Sequence, residues 1–135
     1  MVSTLAKGRT SRSGSLSQGV EPGEVLELDP DRPGFYRKAR SPYSRMVAGV
    51  VSAAPAFILG EPGERKALLA LLGTVPVKAT AENGPIKPGD LLTTSSTPGH
   101  AMRCNNPKEC ESAIIGKALE PLEEGEGMIK MLVMP

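Results

Sequence analysis

The chain writes one short phrase twice. "EPGEVLELD" runs from Glu21 to Asp29, and "KPGDLLTTS" runs from Lys87 to Ser95, sixty-six residues later. Each begins with a Pro-Gly pair, Pro22-Gly23 and Pro88-Gly89, followed by an acid and an apolar run. Pro fixes φ and Gly supplies a positive φ, so each pair predicts a type II turn feeding a strand. The order then continues. Pro33-Gly34 is matched by Pro98-Gly99 at sixty-five, Val47-Ala48-Gly49 by Ile114-Ile115-Gly116 at sixty-seven, and Pro55 by Pro121 at sixty-six. Landmarks kept in one order predict an internal repeat, about residues 20–55 and 86–121, made of two related β-units. Such units must bury their apolar faces, so the predicted fold is all-β, a small barrel or sandwich. Gly49 and Gly116, inside apolar strands, mark a bulge or a close backbone approach.

Length and composition agree with that reading. A chain of 135 residues with 15 Gly and 13 Pro suits one domain of short strands joined by tight turns. Residues 1–19, rich in Ser and Gly with Lys7, Arg9 and Arg12, hold too little apolar surface to order themselves and are expected to form a flexible arm. The β domain is then 20–135. "KALLALLGTVPVKA" is the ambiguous stretch, read as a strand over Ala67–Ala79 bent near Gly73 and Pro76, with a short helix as the alternative.

Several classes of function find little support. The net charge is +1 and no Trp is present, so neither a polyanion-binding field nor a stacking platform for single-stranded nucleic acid is expected. The N-terminal residues carry no apolar run of signal-peptide length, and no later run is long enough to span a bilayer as a helix. The expectation is a soluble chain with no signal of its own, compatible with a place in a particle released by lysis, and with no nucleic-acid or membrane partner. Cys104 and Cys110 enclose "NNPKE", a turn-forming stretch that allows a disulfide-closed loop, with free thiols equally open. His100 is the only histidine, so no zinc site is expected.

The chemistry is sparse. "TTSSTPGH" places Thr93 to Thr97 near His100, which makes a Ser–His pair conceivable, but no third, orienting group can be named. "LEEGEG" (Leu122–Gly127) with Glu120 is acidic yet lacks the alternating ligand spacing of a calcium loop. "RKAR" (Arg37–Arg40) with Arg45 is a basic cluster that reads as a charged loop, and "GEPGE" lacks the Lys of a phosphate-binding loop. No catalytic, cofactor-binding or metal-ligating residue is assigned, and no cofactor is expected. The apolar ending "GMIKMLVMP" predicts a closing strand whose methionines go mainly to the core.

"YSRMVAGVVSAAPAFILGE", "LLGTVPVKATAENGPIKPGDLLTTSSTPGHAMRC" and "AIIGKALEPLEEGEGMIKMLV" together resemble a β-rich domain of bacterial and phage-associated fibre-like and surface proteins. The pattern covers about Gly19 to Val133. It is also distantly similar to the intramolecular-chaperone domains that end phage tailspikes, some of which cleave themselves, and to the small trimeric decoration proteins of phage capsids. The resemblance implies a structural, non-enzymatic role as a homo-oligomer, most simply a trimer, in a phage-like particle or surface fibre. Other particle subunits would be met through the N-terminal arm. Were self-cleavage retained, Ser52 or Ser41 would be the nucleophile, and only the nineteen-residue arm would be released. A small-ligand or carbohydrate-binding module is the remaining alternative, and it lacks an aromatic platform.

Overall fold

The computed structural model describes residues 11–56 and 66–134. None of these residues is helical. They form β1 (Ser11–Leu16), β2 (Val25–Leu28), β3 (Phe35–Lys38), β4 (Val47–Ala56), β5 (Lys66–Ala70), β6 (Thr74–Thr80), β7 (Leu91–Thr94), β8 (Ala101–Arg103), β9 (Gly116–Ala118) and β10 (Glu126–Val133).

The strands close into two barrels, in the orders β1-β3-β2-β4-β5 and β6-β8-β7-β9-β10. The connectivity is the same in both. In each, the first strand runs parallel to the third and antiparallel to the fifth, which closes the ring. The all-β expectation holds, and the repeat is wider than its landmarks: each unit closes on itself, so the chain carries a pair of barrels.

The repeat persists to single hydrogen bonds. Glu24 N–H donates to Glu21 O (3.2 Å) across one Pro-Gly turn and Asp90 N–H to Lys87 O (3.0 Å) across the other. Gly23 and Gly89 sit at φ 91° and 94°, the conformation that selects Gly there. Gly23 N–H then donates to Val51 O and Gly89 N–H to Ala118 O, each at 2.8 Å. Leu26 is paired with Gly49, and Leu92 with Gly116. The two strand glycines divide the expected roles. The register slips beside Gly49, a β-bulge, whereas a side chain at Gly116 would run into the Leu132 carbonyl and the Met131 side chain.

Two stretches depart from expectation. Residues 11–16, assigned above to the flexible arm, form β1, while residues 1–10, with Lys7 and Arg9, lie outside the described residues. The segment has little apolar surface of its own. It is held by a ladder to β5 from Ser11↔Ala70 to Ser15↔Lys66, by Leu16 buried in the core, and by Gly14, where a side chain would strike the Tyr36 ring. Backbone groups that complete a ring need no apolar payload. The second departure is Ala67–Ala79, which is two strands in different barrels. Ala67 and Leu69 are buried and alternate with Leu68 and Ala70, a period of two that rules out the helix. Gly73, at φ 84°, turns the chain from one barrel into the other. "AFILG" beyond Ala56 and "GEPGE" lie outside the described residues.

The core has two parts. Leu16, Leu26, Tyr36, Val51, Ala67 and Leu69 fill the first barrel. The second barrel is filled by Val77, Ile86, Leu92, Ile129 and Met131, and its cluster extends to Val25, Ala39 and Val50 of the first. β2 is thus buried on both faces, with Leu26 inside its own barrel and Val25 against the other.

Candidate interaction site

Where the barrels meet, alternation along β2 turns Val25 outward, and the second barrel covers it completely. Main-chain groups join the two across this face. Val25 N–H donates to Gly99 O (2.8 Å), Gly99 N–H to Ala39 O (2.8 Å) and Lys78 N–H to Gly23 O (2.7 Å). The loop before β4 closes over the end of β7. Thr94 Oγ1 donates to Ser41 O and accepts from Ser44 N–H, both at 2.7 Å.

One charged cluster is folded into this joint. Glu24, only 4% exposed, accepts from Glu21 N–H at Oε1 (2.7 Å), while its Oε2 lies 3.3 Å from Lys78 Nζ and 3.5 Å from Lys38 Nζ. Lys78 Nζ also reaches Glu21 Oε1 at 2.6 Å. That hydrogen bond holds the Glu21 carboxyl below its ordinary range and, against a smaller opposing effect of burial, raises the Lys78 ammonium. A carboxylate this buried persists only because lysines and a backbone N–H meet it.

The residues singled out for reactivity are occupied elsewhere. His100 Nδ1–H donates to Pro98 O (2.8 Å), and Nε2 lies 3.5 Å from Glu126 Oε1. None of the neighbouring hydroxyls faces the imidazole. Thr93 Oγ1 donates to Ala113 O (2.7 Å), Ser95 Oγ lies 2.8 Å from His100 O, and Ser96 and Thr97 both donate to Glu82 at 2.6 Å. Burial pushes the Glu82 carboxyl up, but those bonds outweigh it and hold the group below its ordinary value. No local motif marks Glu82 in the sequence, because its partners lie fourteen and fifteen residues away. Ser52 Oγ donates to Leu68 O (3.0 Å), and the Ser41 carbonyl serves Thr94. "RKAR" splits: Arg37 pairs with buried Glu27 (2.8 Å), Lys38 faces Glu24, and Arg40 is exposed, as is Arg45 nearby. Glu123, Glu124 and Glu126 stay exposed, and no group of three metal-ligating side chains occurs among the described residues. Cys104 and Cys110 are joined by a disulfide that closes the loop between β8 and β9.

The second barrel repeats the joint-forming face, and there it is open. Leu91, the counterpart of Val25, is half-buried, and Ile114, the counterpart of Val47, lines an apolar groove of about 680 Å³. Both barrels line it, the first through Val47, Val50 and Leu71 and the second through Leu91, Ile114 and Met134. Leu71, Leu72 and Leu132 are exposed hydrophobics, at 36%, 57% and 39%. No motif in the sequence marks this groove, because alternation identifies an outward residue without saying which outward residues are covered.

No family model and no curated protein matches the chain. Among solved structures, it is similar to the head fibre gp8.5 N base of bacteriophage phi29, at 19% identity and a TM-score of 0.48, over 92% of each chain.

Proposed function

We propose that this chain is a non-enzymatic structural protein that assembles with copies of itself, as a trimer, in a phage-like particle or surface fibre. One observation carries the reading. The face that the first barrel buries against a barrel of the same fold recurs on the second barrel, where Leu91 and Ile114 border an open apolar groove. A second copy supplies the kind of surface that already covers this face inside the chain. Closure of both rings supports association through side-chain faces, since a closed barrel has no strand edge to offer. The sequence resemblance to fibre-like and decoration proteins supports the particle setting. The engagement of the Ser52 and Ser95 hydroxyls and of the His100 ring in structural hydrogen bonds favours a scaffold over a self-cleaving domain.

The test is a native mass spectrum of untagged protein over a range of concentrations. A trimer of intact 14.2 kDa chains is expected. A monodisperse monomer at high concentration would overturn the reading, and a shortened chain with a released peptide would restore self-cleavage.

A further inference from the structure

The joint between the barrels is made of two unlike faces. The first barrel offers Gly23, Val25 and Ala39, and the second offers Lys78, Thr94 and Gly99. Because the barrels are copies, each face exists twice. The second barrel carries the first face again at Gly89, Leu91 and Cys104. The correspondence is fixed by matching bonds: Ala39 N–H donates to Val25 O, and Cys104 N–H to Leu91 O. The first barrel carries the second face again at Ser15, Leu28 and Gly34.

Exposure separates the used faces from the spare ones. Val25, Ala39 and Thr94 are fully buried at 0%, while Leu91 and Cys104 are half-buried and Leu28 is 42% exposed. Gly23 and Gly99 are buried, and both would meet the opposite barrel if given a side chain, Gly23 against Met128 and Gly99 against Glu24. Their counterparts Gly89 and Gly34 have nothing within 4 Å. A large apolar residue, Leu28, stands in the open where its buried counterpart is Thr94.

We infer that the contact between neighbouring copies repeats the joint within the chain: the Gly89–Leu91–Cys104 face of one copy seats head to tail on the Leu28–Gly34 face of the next. This rests on the self-association reading and adds the surfaces and their direction. An interface of two unlike faces passes from copy to copy, closing as a ring or running on as a fibre. It also gives the disulfide a task. In the first barrel, the loop from Ser41 to Ser44 clasps Thr94. Its counterpart is the loop closed by Cys104 and Cys110, which stands at the spare face and would clasp the neighbour around Leu28. A loop held in shape before contact loses less freedom on binding.

The experiment uses two full-length variants, Leu28→Arg and Leu91→Arg, each with one spare face blocked. Native mass spectra are recorded for wild type, for each variant alone and for the equimolar mixture. Wild type is expected to assemble and each variant to fall to monomer, while the mixture forms a 1:1 dimer, because each variant retains the face the other needs. Asn105→Trp, on the exposed disulfide loop, replaces Leu91→Arg should the latter fail to show a cooperative thermal transition. Variants that keep the wild-type oligomer would overturn the inference and leave self-association standing. Monomeric variants that stay monomeric when mixed would overturn the head-to-tail direction. A monomeric wild type would overturn self-association itself, and this inference with it.

Discussion

Val25 and Leu91 occupy the same position in two copies of one barrel, and their surroundings differ. Val25 is sealed between barrels, while Leu91 is half-buried at the rim of a groove. Their inward neighbours, Leu26 and Leu92, are alike and wholly buried. The barrel interior is therefore a property of the fold, whereas the burial of an outward residue depends on what docks there. A second contrast runs through the interiors. In the first barrel Gly14 lies under the Tyr36 ring, and in the second the corresponding places hold Val77 and Ala101, both buried. One barrel fills the space with a large ring over an absent side chain, and the other with two of middling size. Such exchanges preserve total volume, which is what a packed core requires.

The largest expected effect tests the first contrast. Val25→Asp places an unpaired carboxylate in the joint and should destabilise the fold by about 3–5 kcal/mol. Leu91→Asp should cost less than about 1.5 kcal/mol in the monomer, because that side chain is already partly in water. Urea unfolding of the two variants checks the pair, and equal losses would mean that the two faces are not differently covered.

Next comes the volume exchange. Gly14→Val should cost about 1–3 kcal/mol through collision with the Tyr36 ring. Adding Tyr36→Ala, which copies the second barrel's solution into the first, should recover more than half of the loss. A double variant less stable than either single one, in the same titration, would show that the interiors are not interchangeable.

The smallest effect concerns charge. Glu24→Gln, in the joint, should cost about 1–2 kcal/mol, and Asp90→Asn, at the open counterpart, about 0.5 kcal/mol. Acid should act in the same direction. Glu21 and Glu82 have carboxyls held below the ordinary 4.5, so the stability they contribute is complete above that value and is lost as the pH falls through their lower folded-state values. Urea midpoints at pH 7, 4 and 3 should therefore fall progressively, and Glu82→Gln should make the fall shallower.

What could be read from the chain followed the reach of its chemistry. Pro22-Gly23, Pro33-Gly34, Pro88-Gly89 and Pro98-Gly99 fix their turns within four residues, so the strands they feed and their repetition were legible. β1 and β6 share no such landmark, since Gly14 answers to Val77 and the surrounding residues differ as widely. Ring closure by β5 and β10 rests on partners more than forty residues away in sequence, beyond any local rule. The reactive candidates failed for a related reason. Ser95 and His100 are close in sequence, but Ser95 spends its hydroxyl on carbonyl oxygens of its own turn. The apolar groove follows only from knowing which faces meet.

Closure of each ring by its own first and last strands also orders events during synthesis. β1 waits for β5, so the first barrel becomes complete as residue 70 leaves the ribosome, before the strands of the second have emerged. Until then Val25, Ala39 and Val50 stand uncovered, and their cover arrives with the second barrel, whose ring needs β10 near the end of the chain. The half-made chain therefore leaves open the face whose counterpart in the finished chain lies at Leu91. The timing of translation thus decides whether the first partner that this face meets is its own chain or a nascent chain beside it.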